Sequence, residues 1–132
     1  MATVRRFEEL ECWQEARKFV SLIYGITRNE RFRKDFDLVG QMRRSGISAM
    51  ANIAEGFHRA SSRDFLKFLD YSRASIAETV SHGYVALDQK YIDEPEMAKV
   101  HDQANTVWKK VNNFISYLNK TSKTSQNHKE NK

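Results

Sequence analysis

The sequence predicts an all-α protein, an antiparallel up-down-up-down four-helix bundle, and three observations carry the prediction. One proline and five glycines in 132 residues leave few places to turn, which favours long helices over many short strands. Apolar residues recur at alternating three- and four-residue intervals in four segments, the spacing that holds one face of a helix against a partner. The connections between those segments are short, as they are between antiparallel neighbours in a bundle. A chain of this length is the size of one domain and can bury a core without disulfides or a metal. The bundle is placed at residues 1–118 and a polar tail at 119–132.

The first helix is expected from Glu8 to about Arg28, with Leu10, Trp13, Ala16, Val20, Ile23, Tyr24 and Thr27 on its seam. The second runs from Phe36 to about His58 through Phe36, Val39, Arg43, Gly46, Met50, Ile53 and Phe57. The third, Ser62 to about Asp88, carries Phe65, Leu69, Ser72, Ile76, Thr79 or Val80, Gly83 and Leu87. The stretch "SSRD" supplies its cap and an acidic first turn. The fourth, Pro95 to Leu118, has an unbroken seam of Met97, Val100, Ala104, Val107, Val111, Phe114 and Leu118. Asp93 suits its N-cap, and Pro95 its first turn, where a missing N–H costs nothing. Asn119 to Lys132 holds no apolar residue and four lysines against one glutamate, so it is expected to be disordered.

At about 100° per residue, the second helix also has a polar stripe of Gln41, Arg44, Ser48, Asn52, Glu55 and Arg59. Beside it lies a narrow row of small residues, Ser45, Ala49 and Gly56. Small side chains at this spacing let another helix come close, in the same chain or a neighbouring subunit. The polar stripe then faces either solvent or a second subunit.

Composition narrows the function classes. A single cysteine, Cys12, excludes an intramolecular disulfide framework, and four scattered histidines lack metal-ligand spacing. No metal or other cofactor is expected. No apolar run approaches the ~20 residues of a membrane span, and "MATVRRFEEL" lacks the apolar segment of a signal peptide. A cytoplasmic protein without a membrane partner is the expectation. Lys and Arg number 22 against 17 Asp and Glu, a net charge of +5; this suits a polyanionic partner and plain solubility alike.

Several stretches together resemble one family. "FEELECWQEA" (Phe7 to Ala16), "QMRRSGISAMANIAEGFHR" (Gln41 to Arg59) and "SSRDFLKFLDYSRASIAE" (Ser61 to Glu78) resemble the four-helix-bundle proteins encoded in intervening sequences of bacterial 23S ribosomal RNA genes. The chain is also similar to the accessory proteins of diversity-generating retroelements. The resemblance implies a left-handed bundle assembled as a ring-like homo-oligomer, commonly a pentamer, and for most members no known activity. The retroelement proteins imply a reverse transcriptase partner and nucleic acid, RNA or DNA, bound through a basic surface. The family usually has Ile-Pro where this chain has Ala49-Met50, and Arg-Gly-Ser where it has Arg73-Ala74-Ser75. The first departure removes a kink and the second a close-contact glycine.

The chemistry-bearing residues sort into two sets. Asn52 and Glu55 share a helical face, but no further carboxylate or histidine completes a catalytic site with them, and Glu55 is accounted for by an ion pair to Arg59 at i+4. No catalytic residue is assigned, and the protein is read as non-enzymatic. Arg43 occupies a seam position, where an unpaired charge costs several kcal/mol. It is expected either to pair with Glu78, near Arg73 and Ser75, or to cover the core with its stem while its head reaches water. These six residues form the expected structural polar network. Arg44, Arg59, Arg63 and Lys67 around the second helix and the following turn, with Lys109, Lys110 and the tail lysines, are the candidate nucleic-acid contacts. Trp13, Tyr24, Phe57, Phe65, Phe68, Trp108 and Phe114 are expected to pack inside. Phe7 and Phe32 lie off the stripes and are candidates for a subunit contact. His58 is expected to cap the second helix. The function expected is a homo-oligomeric binding or scaffold module for nucleic acid or a nucleic-acid enzyme. The competing reading is a purely structural assembly protein.

Overall fold

The computed structural model describes residues 4–130, with side chains through residue 121. It holds four α-helices, α1 (Glu11–Thr27), α2 (Phe36–Phe57), α3 (Ser62–Asp88) and α4 (Glu94–Glu130), and two 3-10 turns, Phe7–Glu9 and Phe32–Lys34. No strand occurs among the described residues, and none of the helices is long and apolar enough to cross a membrane.

Capping sets most of the boundaries. Asp35 Oδ1 accepts the Leu38 N–H at 3.1 Å to start α2, and Ser61 Oγ accepts the Asp64 N–H at 3.2 Å to start α3. At α4, Asp93 Oδ1 accepts from Glu96 N (2.9 Å) while Glu96 Oε1 accepts from Asp93 N (3.1 Å), a reciprocal box that satisfies two end groups. The first helix starts later than its spacing suggests, because Leu10 is extended and separates the Phe7–Glu9 turn from α1. The fourth helix passes Leu118, where its apolar seam ends, and continues to Glu130. The tail lysines Lys123, Lys129 and Lys132 have side chains outside the described residues.

Each helix packs on its neighbours in the chain, and α4 closes on α1. The shared core is led by Phe19, Ile23, Met42, Ile53, Leu69, Ile76, Val100, Val107 and Val111, all fully buried. The expected seams of α3 and α4 hold in their main members. Of the seam expected for α1, Leu10, Trp13, Ala16, Ile23 and Thr27 are buried and Cys12, Phe19 and Ile26 join them, while Val20 and Tyr24 are only half-buried.

In α2 the buried row is Leu38, Met42, Ser45, Gly46, Ala49, Ile53 and Gly56. Of the predicted seam, Gly46 and Ile53 are buried and Val39, Met50 and Phe57 pack at the edge of the core, so the inward face is rotated towards the small residues. Phe36, placed on that seam, is 84% exposed. The physical reason is the small-residue row. It faces α3 of the same chain, where Ser72 Oγ donates to the Ala49 carbonyl at 2.6 Å. The Thr79 hydroxyl lies 2.7 Å from Ser45 Oγ and that of Ser75 2.9 Å from Ser48 Oγ. Side chains this short keep two backbones close enough for hydroxyls to bridge them. Gly56 marks the tightest point: a Cβ there would lie 2.8 Å from Phe65 Cδ1 and 2.9 Å from Phe68 Cβ.

Phe32, a candidate for a subunit contact, is instead fully buried and packs 5.3 Å from the Tyr91 ring. It sits in a clamp between the α1–α2 and α3–α4 connections. There Asn29 Nδ2 donates to the Tyr91 carbonyl at 2.8 Å, Asn29 Oδ1 accepts from Phe32 N at 2.7 Å, and the Tyr91 hydroxyl donates to Asp35 at 3.1 Å.

Candidate nucleic-acid interface

The polar network takes a different form from the one its spacing suggests. Arg43 does not pair with Glu78. Its Nε donates to Thr27 Oγ1 at 2.9 Å and its guanidinium lies over the Tyr24 ring at 4.3 Å. The half-buried arginine thus turns towards α1, where an aromatic face and a buried hydroxyl receive it, and Glu78 on exposed α3 surface contacts His82 of its own helix instead, at 3.4 Å. Thr27 Oγ1 can accept this bond because its own proton goes back to the Ile23 carbonyl at 2.8 Å.

Asn52 donates to the Ser48 carbonyl at 2.8 Å and to Ser48 Oγ at 3.0 Å, so it joins the Ser48–Ser75 contact between α2 and α3. Glu55 pairs with Arg59 at 2.8 Å, as its spacing predicts, with both side chains largely exposed. Asn52 and Glu55 thus belong to two different local arrangements. His58 closes α2 through its backbone N–H, while its ring meets Phe7 and Phe57 edge-on. Among the described residues no three His, Cys, Asp or Glu side chains gather where they could hold a metal ion. Cys12 is buried, and burial pushes its thiol up to about 12, which leaves it protonated and unreactive at neutral pH.

The six candidate cations do not form one patch. Arg44 lies in the middle of α2, whereas Arg59 lies past its end in the turn to α3. Lys110 turns towards α1 and pairs with Glu11 at 3.0 Å. Arg59, Arg63 and Lys67 follow one another through the α2–α3 turn and the first turns of α3, with Arg59 set over the Phe68 ring. Arg63 and Lys67 line an open groove of about 810 Å³ between α3 and α4, together with Asp70, Arg73, Ile115 and Asn119. Arg44, Arg63, Lys67 and Lys109 make no ion pair among the described residues.

Arg73, by its spacing a member of the polar network, belongs equally to this groove. Its guanidinium donates to Asn112 Oδ1 at 2.9 Å and to Asp70 Oδ1 at 2.7 Å and lies 5.8 Å from the centre of the Trp108 ring. The aromatic side of the surface does not show in the spacing. Phe68 and Trp108 are expected inside and Tyr71 stands out in no pattern, yet Phe68 is only half-buried, Trp108 is 37% and Tyr71 44% exposed. Each of the three rings carries a cation: Arg59 over Phe68 at 4.5 Å, Lys67 over Tyr71 at 6.0 Å and Arg73 over Trp108. The i,i+4 spacing of Lys67 and Tyr71 is a signal the sequence does hold, but Arg59–Phe68 joins the α2–α3 turn to α3 and Arg73–Trp108 joins α3 to α4, and both need the fold.

An all-α, four-helix protein with a mixed basic and aromatic surface on α3 is therefore the class defined by fold and geometry. The chain belongs to the 23S rRNA-intervening sequence protein family, whose profile it matches over residues 8–129. Among solved structures it is similar to a protein with unknown function from the S23 ribosomal protein family of Bacteroides thetaiotaomicron, with a TM-score of 0.71 and 24% identity. That likeness covers 79% of this chain and 97% of the other and bears on the fold alone. No curated protein matches the chain.

Proposed function

We propose that this protein is a non-enzymatic, cytoplasmic, homo-oligomeric scaffold of antiparallel up-down-up-down helices that binds nucleic acid through the start of α3. The antiparallel course is supported by the α2–α3 pairing, in which residues 45, 48, 49 and 56 meet 79, 75, 72 and 65. The ring-like pentamer, and a reverse transcriptase as the enzyme served, rest on the family resemblance. The observation that carries the binding reading is the alignment of Arg63, Lys67 and Arg73 along one groove, with Arg63 and Lys67 free of carboxylate partners among the described residues. Phosphate contacts require only positive charge and reach, and this groove offers both.

A gel-shift titration at several salt concentrations tests the reading. Affinity should fall steeply with salt, and replacing Arg63 and Lys67 by Ala should lower the slope of log affinity against log salt by about one for each phosphate that is no longer neutralised. Binding that ignores both salt and these substitutions removes the proposal. One observation favours the purely structural alternative: Arg59, Arg73 and Lys110 are each engaged by a carboxylate of the same chain. Wild-type behaviour of the Arg63/Lys67 variant in assembly, with no nucleic acid bound by either protein, would establish that reading.

A further inference from the structure

We infer that the α3–α4 groove and the adjoining crest of α3 take single-stranded rather than double-stranded polynucleotide, with bases stacking on Trp108 and the Arg73 plane beside the groove and on Tyr71 across the crest. The inference rests on the nucleic-acid reading above and specifies its substrate. A surface that binds duplex through phosphates needs charge but no exposed rings, because duplex bases are stacked inside and present only their edges. Here the two cations that line the groove and touch rings, Lys67 and Arg73, lie against two exposed aromatics, Tyr71 and Trp108. Every base has a π-face, so exposed rings beside backbone-directed cations are the arrangement that holds single strands without reading their sequence.

The Arg73 plane is positioned before any ligand arrives. Asn112 and Asp70 take one terminal nitrogen each, and Trp108 lies beneath. With both ends tied, the guanidinium presents a fixed flat surface on which a splayed base can stack. Arg63 and Lys67, a helical turn apart and without carboxylate partners among the described residues, are left for phosphates. Apolar Leu66 and Ile115, amide-bearing Asn119 and Asp64 of the first turn of α3 complete the groove wall. Of the two groove carboxylates, Asp70 is met by Arg73 at 2.7 Å, while Asp64 makes no ion pair among the described residues and is offset by the neighbouring Arg63 and Lys67 charges.

Fluorescence anisotropy on the full-length protein separates the possibilities, with labelled oligo(dT), oligo(rU) and a duplex of equal length as probes. At least one single strand should bind more tightly than the duplex, and the two single-strand arms show whether DNA or RNA is preferred. Trp108→Leu, which keeps apolar bulk but no π-face, should weaken single-strand binding by about tenfold while leaving the salt slope unchanged. Trp108→Phe should retain most of the affinity, and Tyr71→Leu, on the far side of the α3 crest, should give a smaller loss. Duplex bound as tightly as single strands, with Trp108→Leu and Tyr71→Leu unaffected while Arg63/Lys67 substitution still weakens binding, overturns the stacking inference and leaves the proposed function standing. Absence of salt-dependent binding to all three probes overturns both.

Discussion

Adding one methyl group to each of two glycines should change stability in opposite directions. Gly56 is buried where α2 meets α3, and a Cβ there would lie 2.8 Å from Phe65 Cδ1, 2.9 Å from Phe68 Cβ and 3.2 Å from Phe65 Cε1. The Phe65 ring can swing away, but Phe68 Cβ is fixed to the α3 backbone, so the two helices must separate. Overpacking of this kind costs about 1–3 kcal/mol, against a helix-propensity gain of up to about 1 kcal/mol for Gly→Ala. Gly56→Ala should therefore lose about 1–2 kcal/mol. Gly25, exposed in α1, has nothing within 4 Å of its would-be Cβ, so Gly25→Ala keeps only the propensity gain of about 0.5–1 kcal/mol. Urea unfolding followed by circular dichroism reads both, each kcal/mol moving the midpoint by about 0.5 M at a slope near 2 kcal/mol/M. If Gly56→Ala is as stable as wild type or more so, the close approach is not a constraint and the reasoning fails.

Other consequences are equally direct. A double-mutant cycle should find coupling of about 0.5–1 kcal/mol between Arg43 and Tyr24, whose ring it covers at 4.3 Å, and none between Arg43 and Glu78; strong Arg43–Glu78 coupling would contradict the observed geometry. Cys12 should resist iodoacetamide in the native protein at neutral pH and react once urea unfolds the chain. Its thiol is raised from an ordinary 9.0 to about 12 in the fold, so its contribution to stability is complete below pH 9 and is lost as pH rises towards 12. A Cys12→Ala variant lacks that loss, and an identical alkaline decline in both proteins would assign it to other groups.

Capping and periodicity make much of the architecture legible. Ser61 and Asp93 set the starts of α3 and α4 because a short oxygen-bearing side chain before an apolar seam has few other uses. Register in α2 is less legible, since bulky Phe36, Val39, Met50 and Phe57 draw the eye to a seam whose first member faces solvent and whose other three pack only at the edge of the core. Ser45, Ala49 and Gly56 carry little hydrophobicity, and their value lies in the approach they permit to α3. Arg43 needs a partner on spacing alone, but a sequence shows neither the ring of Tyr24 nor the hydroxyl of Thr27 as the receiver. The site is half visible: Arg59, Arg63 and Lys67 lie near one another in the chain, whereas Arg73 meets Trp108 and Asn112 only once α4 has folded beside α3. Trp108 falls on the edge of a regular seam, where spacing alone does not separate a core ring from an exposed one.

The hydroxyl contacts between α2 and α3 also bear on the order in which the chain folds. These helices are joined by the few residues from His58 to Ser61, and Ser72 reaches Ala49 across only 23 positions. Closure of α4 on α1 instead links Glu11 to Lys110 and Glu15 to Gln103, 99 and 88 positions apart. Bringing distant segments together costs more chain entropy than closing a hairpin. The hypothesis that follows is a middle-outward pathway, in which the α2–α3 hairpin is organised at the rate-limiting barrier and the two outer helices dock afterwards. Folding kinetics should then give φ-values that are high for Ser72→Ala and low for Val107→Ala, and the reverse pattern would place the nucleus at the chain's ends.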